Sequence, residues 1–189
     1  MNFSKKMELL ILTKGRFSMK TFLKIAGVLI LVLLTAPIFL ASKFSMSRSI
    51  EIQAPVATVF LKLPDLNEYN KWNPFPEGDS TNQTNISGQG VGSSLTWKGD
   101  KTGEGKMTIS GIDPNKKVDV KMEFYKPMAG EGLVRWITEA KSDSVTSMTW
   151  TFEQDLPYFN RYFGLFMNAM MGKHFEKGLT KYKQLVEAK

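Results

Sequence analysis

The hydrophobic pattern of the chain has three regimes. The first is continuous. From Ile25 to Ala41, "IAGVLILVLLTAPIFLA", Thr35 is the only polar side chain among 17 residues. Such a run has no polar face to turn to water, and it is just long enough for a bilayer core, which takes about 17–25 apolar residues. Phe22 and Leu23 extend it past Lys24, whose ammonium can snorkel to the headgroups.

The second regime has a period of two, the signature of half-buried strands. "MSRSIEIQAP" alternates Ile50 and Ile52 with polar neighbours. "SSLTWKG", "GKMTISGI", "KKVDVKMEFY", "GLVRWITEA" and "VTSMTWTFEQD" follow, separated by turn signals at 113–117, 127–132 and 141–144. Short turns between consecutive strands imply an antiparallel sheet. Between the first strand and the rest lie two short helices, "PVATVFLKL" and "DLNEYNKW". The stretch 78–94 is rich in Gly, Ser, Thr, Asn and Gln and reads as loop and strand edge.

The third regime has a period of 3.6. From Tyr158 to about Ala188, Phe159, Phe163, Phe166, Met167, Met170, Met171, Phe175, Leu179, Tyr182 and Leu185 trace one broad apolar face of a long helix. Gly164, Gly172 and Gly178 each weaken that helix by roughly 0.5–1 kcal/mol relative to Ala, which points to close approach of another backbone. The whole order predicts an α+β fold, a curved antiparallel sheet wrapped around a long C-terminal helix. Two short helices follow the first strand and close one end. The expected layout is a cytoplasmic lead at 1–21, a transmembrane anchor at 22–42 and a folded domain at 46–189. Met19 is an alternative start to Met1.

Charge changes the picture only at the N-terminus. The net charge of +7 belongs to residues 1–48, where eight Lys/Arg face Glu8; the remainder holds 17 basic and 17 acidic side chains. The body has no basic excess for phosphates, so a nucleic-acid partner is not expected. Lys14, Arg16, Lys20 and Lys24 precede the apolar run, which by the positive-inside rule keeps the N-terminus cytoplasmic and puts the domain outside. A cleaved signal is the alternative, but cuts after Ala36 or Ala41 put Leu34 or Phe39 where a small residue is needed.

The five stretches "IQAPVATVF", "DLNEYNKWNPF", "GVGSSLTWKG", "MTWTFEQDLP" and "HFEKGLTKYKQL", in this order, resemble the SRPBCC superfamily, the START-like and Bet v 1-like helix-grip proteins. The branch is the one labelled polyketide cyclase/dehydratase-like, and the resemblance covers about residues 46–187. It implies a hydrophobic cavity between sheet and helix. It does not imply one activity, since members include lipid carriers, aromatase/cyclases and chaperone regulators.

The residues expected to line such a cavity are Trp97, Met107, Met122, Phe124, Trp136, Trp150, Phe163, Met167 and Met170, with Trp72 and Phe75 of "YNKWNPF" plugging one end. Methionine fits irregular apolar shapes. The same residues also suit an ordinary filled core. Arg135 is a candidate polar anchor if it points inward; if Trp136 points inward instead, Arg135 faces water. Absence of cysteine and a single histidine, His174, exclude thiolate and multi-histidine metal sites. "GQGVG" lacks the Lys-Ser/Thr of a phosphate loop, and no cofactor is implied. The expected function is a membrane-anchored, non-catalytic binding domain for a hydrophobic small molecule or lipid. The alternatives are a cyclase/dehydratase-like enzyme using Arg135, Tyr69 or His174, and a protein-interaction module docking through 78–94.

Overall fold

A computed structural model of the protein describes residues 18–188. Most of the expected cytoplasmic lead, residues 1–17, lies outside the described residues. The chain divides between Leu40 and Ala41 into two compact units.

The first unit is helix α1, Met19–Thr35, capped by Ser18, whose hydroxyl accepts from the Lys20 amide at 3.3 Å. Pro37 has no N–H for the helical ladder, and the chain tightens into a 3₁₀ turn, Ala36–Phe39. Thr35, the one polar side chain of the run, donates back to the Leu31 carbonyl at 2.8 Å. Its large apolar side chains, from Met19 to Phe39, are exposed. Met19–Phe39, 21 residues, is long and apolar enough to cross a membrane.

The second unit holds every buried apolar residue of the core, from Phe44 to Tyr182. Its elements are β1 (Lys43–Ile52), α2 (Val56–Leu61), α3 (Leu66–Trp72), β2 (Gln83–Ser87), β3 (Ser94–Gly99), β4 (Gly103–Asp113), β5 (Lys117–Lys126), β6 (Gly130–Ser142), β7 (Val145–Asp155) and α4 (Arg161–Glu187). The seven strands form one antiparallel sheet in the order β1-β7-β6-β5-β4-β3-β2. Register shifts at Glu104/Gly105, Ile109/Gly111 and Ala140/Ser142 insert bulges, which bend the sheet toward one face. β2 falls in the stretch expected as loop and strand edge, and it is an edge strand of the sheet. Its residues Gln83, Thr84 and Asn85 are all exposed, so no apolar alternation marks it, and it holds its place by pairing with β3 alone.

Alternation decides what faces in. Val118 and Val120 on β5, Val134, Trp136 and Thr138 on β6, and Thr146, Met148, Trp150 and Phe152 on β7 are buried. Helix α4 crosses this inner face beside β1 and runs in the same direction. Arg48 donates to Glu176 and Asn168, each at 2.9 Å, and the Gln53 amide donates to Glu187 at 2.6 Å. Tyr182 donates its hydroxyl to the Val59 carbonyl, tying α4 to α2.

The helix glycines make room for side chains rather than for another backbone. A Cβ on Gly172 would sit 2.7 Å from the Arg48 guanidinium, and one on Gly178 would sit 2.7 Å from the Trp150 ring and 3.2 Å from Pro74. The expected single apolar face of α4 is also divided. Phe175, Leu179 and Tyr182 are buried, whereas Phe159, Phe163, Phe166 and Met170 are exposed.

Candidate functional site

Tyr69 and Trp72 on α3 project into the sheet one turn apart. Asp65 caps that helix, accepting from the Asn67 amide at 2.8 Å. Trp72 is fully buried at the centre of an aromatic cluster, with ring centroids 4.8 Å from Tyr69, 5.4 Å from Trp136, 5.2 Å from Trp150 and 4.9 Å from Tyr182. Most of these contacts are edge-to-face, the arrangement favoured by the ring quadrupoles. The cluster fills the half of the sheet–helix interior nearest α2 and α3.

The other half is open. A cavity of about 410 Å³ lies between β3–β7, α4 and the loop after α3. Tyr69, Trp136 and Trp150 form its inner end. Leu95, Met107, Met122 and Val134 line the sheet side, and Phe124 and Phe152 pack edge to face within it, centroids 6.2 Å apart. Trp97 lies across the neighbouring strand, its indole N–H donating to the Thr102 carbonyl at 3.2 Å. At the mouth, Phe75 stacks on His174, centroids 5.3 Å apart, and the exposed residues Glu77, Gly78, Lys101 and Met170 surround the opening.

Two acids line this cavity, and both are occupied. Asp79 accepts from the Thr81 hydroxyl at 2.7 Å and amide at 3.1 Å, from the Lys101 amide at 2.9 Å, and from the Thr102 amide and hydroxyl at 2.8 and 2.9 Å. These bonds, led by the Thr81 hydroxyl, hold its carboxyl far below the usual carboxylate range. They also tie the loop after α3 to the β3–β4 turn. Glu77 accepts from Lys177 and, at 2.6 Å, from Lys181 of α4, and these bonds draw its pKa down to about 2. Burial pushes the Tyr69 hydroxyl pKa well up, so it stays protonated. Among the described residues no group of three His, Cys, Asp or Glu side chains lies close enough to hold a metal.

Of the expected lining residues, Phe75, Trp97, Met107, Met122, Phe124, Trp136, Trp150 and Met170 line the cavity. Trp72 does not, because α3 turns it into the aromatic cluster. Met167 is half-buried against the core and Phe163 is exposed, both outside the wall. Arg135 is not a cavity anchor. Trp136 takes the inward position, and Arg135 on the outer face pairs with Glu153 at 2.7 Å and Asp119 at 3.5 Å. Unforeseen in the wall are Leu95, Val134, Phe152, Met171 and Phe175, with Asp79 and Thr102 near the mouth, while Tyr69 and His174, expected only as polar groups on the enzyme reading, also line it. Inward parity signalled the strand residues among them. Nothing in the sequence signalled Asp79, whose place depends on the return of the chain at β3–β4.

The sequence profile of the family described as polyketide cyclase / dehydrase and lipid transport matches residues 43–187. The chain belongs to that family. It is a helix-grip SRPBCC protein of the polyketide cyclase-like branch, as the five stretches indicated. Its fold is shared by truncated norcoclaurine synthase from Thalictrum flavum, with TM-score 0.61 and 12% identity over 78% of this chain and 95% of that one. The same enzyme in complex with dopamine and hydroxybenzaldehyde aligns with TM-score 0.60 and 14% identity over 81% and 91% of the two chains. The Zhui aromatase/cyclase from Streptomyces sp. R1128 aligns with TM-score 0.56 and 14% identity over 77% and 94%. No curated protein sequence matches this chain. At these identities the structural likeness establishes the fold of this family member and nothing finer.

Proposed function

We propose that this polyketide cyclase-like protein is a membrane-anchored binding domain for a hydrophobic small molecule or lipid, and that it is not an enzyme. The observation that carries the reading is the cavity. Its volume, about 410 Å³, falls in the range of roughly 300–1,000 Å³ typical of ligand sites, and its inner wall is aromatic and aliphatic. Its two acids are spent on holding loops, which leaves neither free to act as a base. Helix α1 supplies the anchor, with the basic residues before it on the cytoplasmic side and the domain on the other.

Native mass spectrometry of 41–189, a unit with its own core, tests this. One apolar guest per chain is expected after incubation with a lipid extract. A domain that stays empty there, and with fatty acids and aromatic probes, contradicts it.

A cyclase/dehydratase-like enzyme is the second reading, favoured by the place of Tyr69 and His174 in the wall. On that reading Tyr69→Phe abolishes turnover of a bound guest while leaving its binding intact. On the binding-domain reading the guest is recovered chemically unchanged from the wild-type protein.

A further inference from the structure

Phe159, Phe163, Phe166 and Met170 recur at intervals of four, three and four along the 3₁₀ turn before α4 and its first three turns. That spacing stacks them on one face. They are 60, 51, 62 and 67% exposed, and Leu165 beside them is 60% exposed. The stripe contains no charge. Half-buried Tyr158 and Tyr162 flank it, a residue type favoured where membrane meets water.

The position of the stripe in the domain names its occupant. β1 and β7 pair with Lys43 opposite Asp155, and the Leu156 amide donates to the Ser42 carbonyl at 2.7 Å. The apolar N-terminal segment therefore joins the domain where the chain leaves β7 for α4. Only Leu40, Ala41 and Ser42 separate the 3₁₀ turn ending at Phe39 from β1, a reach of roughly 14 Å even fully extended. Because α4 runs beside β1 in the same direction, its first turns lie level with the start of β1.

We propose that this stripe is a membrane-docking surface, seated in the headgroup–acyl boundary of the bilayer that holds α1. The proposal rests on the anchored reading above. An apolar helical face lies in that boundary about 5–10 Å deep. Met170 belongs both to the stripe and to the cavity wall, so docking sets the cavity mouth against lipid. An apolar guest then passes between bilayer and cavity without crossing bulk water.

The chain has no cysteine, so single-cysteine variants label at one place. The full chain is placed in nanodiscs of phosphatidylcholine and phosphatidylglycerol, with a nitrobenzoxadiazole probe on Ile30→Cys, Phe166→Cys or Ser144→Cys. Ile30 is in α1. Ser144, in the β6–β7 turn, is at the far end of β7 from Asp155. Lipids spin-labelled near the headgroup are expected to quench the Phe166 probe, and lipids spin-labelled near the end of the acyl chain to quench the mid-span Ile30 probe, each at least about twofold, and both are expected to leave the Ser144 probe unchanged. If Ile30 is quenched and Phe166 is not, docking is overturned and anchoring stands. If Ile30 is not quenched, the anchored reading fails and docking fails with it. A Phe166 probe shielded from iodide yet blind to the spin-labelled lipid, in nanodiscs holding two chains, means that a second copy covers the stripe, which also overturns the proposal.

Discussion

Trp150 of β7 stacks on Phe175 of α4, ring centroids 4.2 Å apart and planes 22° apart. This is where the sheet closes on the helix, and both rings also border the cavity. Truncating the helix partner removes a fully buried ring and enlarges the cavity. Phe175→Ala is expected to lower the stability of 41–189 by about 3–5 kcal/mol, read by urea denaturation.

Gly178 lies one turn beyond Phe175. Helix propensity alone makes Gly178→Ala favourable by about 0.5–1 kcal/mol. The Trp150 ring, 2.7 Å from the new methyl, makes it unfavourable. The net expectation is destabilisation of about 1–3 kcal/mol, the usual cost of overpacking. A stabilised Gly178→Ala protein would mean that helix and sheet are less closely apposed.

Glu77 ties the mouth loop to α4, and its depressed pKa gives the tie a pH window. A carboxyl that titrates at about 2 in the folded state, against 4.5 ordinarily, favours the folded arrangement in full above 4.5. That contribution is lost as pH falls toward 2. Carbon-detected NMR of the Glu77 carboxyl is expected to show a midpoint near 2, with the backbone signals of the loop moving in step. Substitution of both Lys177 and Lys181 by Met returns the midpoint to the ordinary range.

Asp79 holds the β3–β4 turn by accepting from the Lys101 amide and from both the amide and the hydroxyl of Thr102. Asp79→Asn replaces one accepting oxygen with a donor that faces donors. Amide exchange at Lys101 and Thr102 is expected to rise by about tenfold or more, the equivalent of roughly 1.4 kcal/mol. Exchange on β7 stays as it was.

Much of this architecture was legible because it depends on local periodicity. Alternation through "VTSMTWTFEQD" gave the inner face of β7 directly, since each strand residue has only two choices of side. The same parity decided Arg135 once Trp136 was known to face in. Residues whose place depends on distant chain were not legible. Trp72 and Phe75 are three positions apart, yet one is the hub of the core and the other lines the cavity, because Pro74 under Gly178 redirects the chain between them. Phe163 and Phe175 share the apolar face that the pattern predicts. Only the sheet, which covers the second and not the first, separates them.

The central claim is that the cavity takes an apolar guest. Its most direct measurement is a titration of 41–189 with N-phenyl-1-naphthylamine, followed by energy transfer from Trp136 and Trp150. The wild-type domain is expected to bind one probe per chain saturably. Val134→Trp, which fills the cavity from the sheet side, is expected to bind at least about tenfold more weakly while remaining folded by circular dichroism. No saturable binding to the wild type, or equal binding to both proteins, would contradict the claim.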